Sequence, residues 1–84
     1  MPAAFSTILN FDGRAAPASI LPALRRNGMH YEVNVKGYPR FFMRWTELGR
    51  YDALPGEGDT LPYSLVLAAS DAIEKHAGIP RGVR

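Results

Sequence analysis

The sequence predicts a small α+β domain: a three-stranded, at least partly antiparallel sheet in β-α-β-β-α order, with a long C-terminal helix packed on one face. Three observations predict it. Residues 29–36 and 40–47 alternate apolar and polar side chains on either side of Gly37-Tyr38-Pro39. A third alternating stretch runs from Phe5 to Phe11, and residues 61–77 repeat their apolar side chains at helical spacing. A period of two sorts side chains onto the two faces of a strand, whereas a period of 3.6 draws a stripe along a helix.

In the first stretch, Phe5, Thr7, Leu9 and Phe11 share one face and Ser6, Ile8 and Asn10 the other. Asp12-Gly13 ends it, because glycine accepts the positive φ that a turn requires. Residues 19–27 read as a short helix, with an irregular loop as the competing reading. Ser19 caps the helix, Pro22 falls in the first turn, Arg25 and Arg26 suit its C-terminus, and Gly28 follows. Residues 29–36 place Met29, Tyr31, Val33 and Val35 on one face and His30, Glu32, Asn34 and Lys36 on the other. Residues 40–47 place Phe41, Met43 and Trp45 on one face and Arg40, Phe42, Arg44 and Thr46 on the other.

The expected register between those two strands pairs Val35 with Phe41, Val33 with Met43 and Tyr31 with Trp45. Its reverse face pairs Asn34 with Phe42, Glu32 with Arg44 and His30 with Thr46, so that a one-residue slip would spoil both faces. Pro39 cannot take the left-handed conformation of a tight closing turn, so a wider loop over residues 36–40 is expected. Residues 48–61 are rich in glycine and acid and read as a loop, one so long for a structureless connection that an ordered or functional part is the alternative. Asp59 or Thr60 caps the long helix, whose stripe is Leu65, Ala69, Ala72, Ile73 and His76, widened by Val66 and Ala77. Gly78-Ile79-Pro80 stops it. One domain over residues 1–80 is expected, followed by a frayed basic tail, residues 81–84.

The composition narrows the function classes. There is no cysteine, which excludes disulfide-stapled mini-proteins and thiolate metal sites. The 46% apolar fraction is too high for a disordered chain. The longest apolar run, residues 65–69, is far short of the ~20 residues that cross a membrane. The first residues, Met1-Pro2-Ala3-Ala4-Phe5, lack the pattern of a signal peptide. No membrane association and a cytoplasmic location are expected. The net charge is only +2, but it is segregated. Residues 14–44 hold Arg14, Arg25, Arg26, Lys36, Arg40 and Arg44 against Glu32. Residues 45–74 hold Arg50 against Glu47, Asp52, Glu57, Asp59, Asp71 and Glu74. Such a split gives two mutually attracting faces, a basic binding surface or head-to-tail association.

Catalytic chemistry needs convergent polar groups, and few are offered. His30 and His76 each lack a second ligand at metal spacing. No serine lies in a nucleophile elbow. Residues 54–59 precede a helix as a phosphate cradle would, but Glu57 and Asp59 repel phosphate and no Lys-Ser/Thr follows. The expectation is no enzyme, no catalytic residue, no metal and no cofactor.

The stretch that mixes cations with aromatics is residues 36–45. Lys36, Tyr38, Arg40, Phe42 and Arg44 are the candidate binding residues, because cations can hold phosphates while aromatic rings stack on bases. Lys36-Gly37-Tyr38 resembles the basic-aromatic signature of RNA-recognition motifs, with Pro39 where that pattern has a small residue. The resemblance implies single-stranded RNA bound on a sheet face. Residues 30–77 also resemble the HicB-type antitoxins, through a hairpin, Gly58-Asp59-Thr60-Leu61, and a helix with Asp71-Ala72-Ile73-Glu74. That resemblance implies a partial ribonuclease-H-like sheet that neutralises a small toxin. The residues themselves favour a small non-catalytic binding or regulatory module acting through a protein interface, with a protein partner or a homodimer. Phe42 on the polar sheet face and a core small for a lone chain point that way. Nucleic-acid binding through the basic hairpin is the alternative and a HicB-like module the second alternative.

Overall fold

The computed structural model describes residues 4–25, 28–54 and 61–77. They form one five-stranded antiparallel sheet, curled into a half-barrel, and one helix. The strands are β1 (Phe5–Phe11), β2 (Arg14–Arg25), β3 (Gly28–Val35), β4 (Phe41–Trp45) and β5 (Tyr51–Ala53), and the helix is α1 (Tyr63–Ala77). The order across the sheet is β1-β2-β3-β4-β5, a plain meander. The α+β class and the C-terminal helix agree with the sequence, while the strand count and the element order do not.

The first correction is β2. Where a short helix over residues 19–27 was expected, the chain is extended from Arg14 to Arg25 and pairs β1 on one side and β3 on the other. Local propensity favoured a capped turn, but two neighbouring ladders supply more hydrogen bonds than a short helix can. The prolines fit because of where their nitrogens point. Backbone groups alternate sides along a strand, and the Pro17 carbonyl accepts the Lys36 N–H at 3.1 Å on the β3 side. Pro22, five residues on, therefore turns its nitrogen toward the β1 side, beyond Ile20, the last β2 residue in the β1 ladder. Neither proline interrupts a ladder in its middle.

Asp12 and Gly13 form the two-residue β1–β2 turn, with φ of 50° and 73°. Two positive φ values match the right-handed twist of a hairpin, which is why Asp-Gly recurs there. The second correction is β5, inside the segment expected to be a loop. Thr46 N–H donates to the Arg50 carbonyl and Gly49 N–H to the Thr46 carbonyl. Gly49, at φ 79°, closes this three-residue connection and sends Tyr51–Ala53 back along β4. The element order of an RNA-recognition motif is therefore absent, since β2 stands where its first helix would be.

The third correction is the β3–β4 register. Val33 faces Phe41, Glu32 faces Phe42 and Tyr31 faces Met43. This is two residues from the expected pairing, so Glu32 does not oppose Arg44 and Asn34 does not oppose Phe42. An even shift keeps every side chain on its face, and the expected wide loop over residues 36–40 absorbs the offset. Glu32 accepts a hydrogen bond from Asn34 Nδ2 at 2.9 Å instead, and Arg44 faces Asp52 on β5.

The core fills the trough of the half-barrel. Leu9, Phe11, Ala16, Ala18, Ile20, Tyr31, Val33, Val35, Phe41, Met43 and Tyr51 line it, and Leu65, Val66, Ala69, Ala72 and Ile73 of α1 close it. Trp45 is only half-buried. The helix packs mainly on the two outermost strands, β1 and β5. It runs antiparallel to β1, since the His76 ring near its end stacks on Phe5 at the start of β1, centroids 3.8 Å apart. The Pro62 carbonyl accepts the N–H groups of Leu65 and Val66 and so opens the helix. The expected caps Asp59 and Thr60, the stop at residues 78–80 and the tail at 81–84 lie outside the described residues. Among those residues, no helix is long and apolar enough to cross a membrane.

Candidate functional site

The sequence-predicted binding residues do not form one cluster. Lys36 and Arg40 are exposed in the β3–β4 loop. Tyr38 folds toward the end of the trough, where its ring meets Phe11 edge-on at 5.8 Å and its hydroxyl accepts a hydrogen bond from Arg14 at 3.2 Å. Phe42 and Arg44 lie on the outer sheet face, and the Arg40 guanidinium stands 5.8 Å from the Phe42 ring centroid. Arg40, Phe42 and Arg44 are thus together, with Tyr38 turned away from them. Carboxylates interleave with this group: Glu32 is directly across from Phe42 and Asp52 directly across from Arg44. Asp52 also lies 3.6 Å from the Arg50 guanidinium, whose other contact is the Tyr63 hydroxyl.

At the β1 end the same face changes character. Its side chains are Ser6, Ile8 and Asn10 on β1 and Ala15, Pro17, Ser19, Leu21 and Ala23 on β2. None is charged. Register places Ile8 against Pro17 and aligns Ser6, Ser19 and Asn34 in a row across three strands. That row floors an open depression of about 490 Å³. Ile8 is 54% exposed and Leu21 39%. Eight neighbouring side chains without a charge are unusual for a sheet face that must stay in water.

The outer edge of β1 is the other distinctive feature. Phe5, Thr7, Leu9 and Phe11 turn their backbone groups to β2, as the ladder alternation requires. Ser6, Ile8 and Asn10 therefore turn theirs outward, where no other described strand pairs with them. A groove of about 230 Å³ follows this edge between Thr7–Asn10 and the stripe Ala68, Asp71, Ala72 and Lys75 of α1. The sequence signal for this region was available: residues 15–24 hold no charged side chain. It was obscured by reading residues 19–27 as a helix.

Among the described residues, the titratable groups that the fold perturbs lie in the core. The Tyr31 and Tyr51 rings meet edge-on at 5.5 Å, and Tyr51 donates its hydroxyl proton to Tyr31. Burial, then the neighbouring Tyr31 hydroxyl and the Glu74 carboxylate, push Tyr51 up to about 12. Burial also raises Tyr31, and the hydrogen bond it accepts pulls it partly back. Both phenols are thus held neutral under the helix, a structural arrangement. His30 is buried opposite Ala23, with Nδ1 3.1 Å from the Gly28 carbonyl. Among the described residues, no three His, Asp or Glu side chains converge as metal ligands would.

Comparison with protein-family models, with curated proteins and with solved structures returns no match for this chain. The resemblances to RNA-recognition motifs and to HicB-type antitoxins thus rest on the residues quoted for them.

Proposed function

We propose that this chain is a non-catalytic binding module that acts through a protein interface, and that the interface is the outer face of β1 and β2. The observation that carries the reading is the uncharged row of side chains from Ile8 and Pro17 to Leu21 and Ala23. A protein partner gains from covering such a surface, at roughly 25 cal/mol for each Å² of apolar area removed from water. A nucleic acid gains little there, because its binding energy comes mainly from cations against phosphates.

The second reading is RNA bound at Arg40, Phe42 and Arg44, favoured by the cation over the Phe42 ring. Glu32 and Asp52 place negative charge within that group and rank it below the first. A HicB-like module ranks third, since β5 intervenes between its hairpin and its helix.

Light-scattering mass on nuclease-treated and on untreated protein, at low and high salt, tests the proposal. The expected result is an assembly heavier than one 9.3 kDa chain that survives high salt. Leu21→Glu should dissolve it, and Arg40→Glu/Arg44→Glu should leave it intact. A lone chain that carries nucleic acid at low salt and sheds it at high salt would overturn the proposal in favour of the hairpin.

A further inference from the structure

We infer that the outer edge of β1 pairs with the same edge of a second copy, making one continuous sheet across a two-fold axis at Ile8. The inference rests on the interface reading above and names its partner. It starts from what β1 lacks. Strands left at a sheet edge are ordinarily guarded by a lysine, a proline, a bulge or brevity. Phe-Ser-Thr-Ile-Leu-Asn-Phe has seven residues, no charge and no proline, and it pairs with β2 without a bulge.

The edge is also self-complementary. Outward backbone groups belong to Ser6, Ile8 and Asn10. In an antiparallel pair centred on Ile8, Ser6 meets the partner's Asn10, Ile8 meets the partner's Ile8, and Asn10 meets the partner's Ser6. All three residues then use both their N–H and their C=O, and no other antiparallel register uses all of them. On the outer face this register sets isoleucine on isoleucine, flanked by hydroxyl–amide pairs, and joins the two uncharged patches of the β1–β2 surface. A two-fold contact needs a surface that fits itself in this way.

The groove beside the edge agrees. Its strand lining is centred near Ile8 and its helix lining near Ala72. A two-fold axis at Ile8 sets α1 antiparallel to its copy across the seam. Ala68 on one helix then faces the partner's Lys75, and Asp71 and Ala72 lie beside the axis. The small side chains Ala68 and Ala72 leave room for the approach.

Charge exchange at the two-fold position tests the seam. The wild-type chain, the Ile8→Lys chain and the Ile8→Glu chain are weighed alone, and the two variants are weighed as an equimolar mixture, by light scattering over a concentration series. The expected result is twice the 9.3 kDa chain mass for the wild type, loss of the dimer in each variant alone, and its recovery in the mixture. Recovery requires both variants to be folded and requires position 8 to face itself, so it separates the seam from simple misfolding. A wild-type dimer that persists in both single variants would overturn the seam. If Leu21→Glu still dissolved that dimer, the interface reading would stand. A wild type with the mass of one chain at every concentration would overturn both.

Discussion

A designed disulfide decides the β3–β4 register. The Phe42 carbonyl accepts a hydrogen bond from the Leu54 N–H on the β5 side, so Glu32 and Phe42 form a non-hydrogen-bonded pair across β3 and β4. Such pairs hold their Cα atoms about 4.5 Å apart with side chains close, inside the range that a disulfide spans. Two residues further along, Arg44 is displaced by about 6.8 Å, which takes its Cα about 8 Å from that of Glu32, beyond the roughly 7 Å limit. Because the chain has no cysteine, Glu32→Cys/Phe42→Cys supplies the only thiols. Closing the loop between residues 32 and 42 removes chain entropy worth about 2.7 kcal/mol from the unfolded state. Thiol titration should show complete closure under mild oxidant. Urea unfolding of the oxidised form against the reduced form of the same variant should show a gain approaching that figure, free of side-chain losses common to both. Glu32→Cys/Arg44→Cys should keep its thiols or lose stability on closure. Faster closure of that second pair would refute the register and restore the one expected from the sequence.

The remaining predictions concern the core. Phe41 is 1% exposed, so Phe41→Ala should cost about 3–5 kcal/mol in urea unfolding; a loss below about 1 kcal/mol would mean that the trough is not packed as described. Tyr51, raised to about 12, deprotonates later in the folded than in the unfolded chain. Its contribution is therefore complete below pH 10 and is lost as the pH rises through about 12, at about 1.4 kcal/mol per pH unit across that window. Tyr51→Phe should flatten this alkaline slope in chemical unfolding, and an unchanged slope would refute the assignment.

Much of the architecture was legible in the sequence because alternation and helical spacing are read from side chains alone. Residues 5–11, 29–36 and 40–47 show their faces, and Leu65, Ala69, Ala72 and Ile73 were placed correctly in the core. β2 was not legible, because Ala15, Ala16, Pro17, Ala18 and Pro22 have low strand propensity and Ser19 and Arg25 mimic the ends of a helix. What makes them a strand is the pair of ladders on either side, which local propensity does not carry. β5 escaped for a related reason: three residues carry too little pattern, and Tyr51 earns its burial by meeting Tyr31 and Trp45, rings at 5.5 and 5.2 Å. The register error was invisible in principle, since a shift by two leaves both faces unchanged. The candidate site divided because Tyr38 was assigned by its neighbours in sequence, whereas the turn aims its ring at Phe11.

The plain meander order bears on how the chain reaches this structure. Every strand lies beside the one that precedes or follows it in sequence, so each pairing closes a short loop and can zip from its turn. Helix α1 is different: among the described elements it alone packs on both β1 and β5, the first strand and the last. Its arrival closes the longest loop and covers the apolar trough at once. Helix docking is thus the step that converts a row of local hairpins, each marginal in water, into a single cooperative unit.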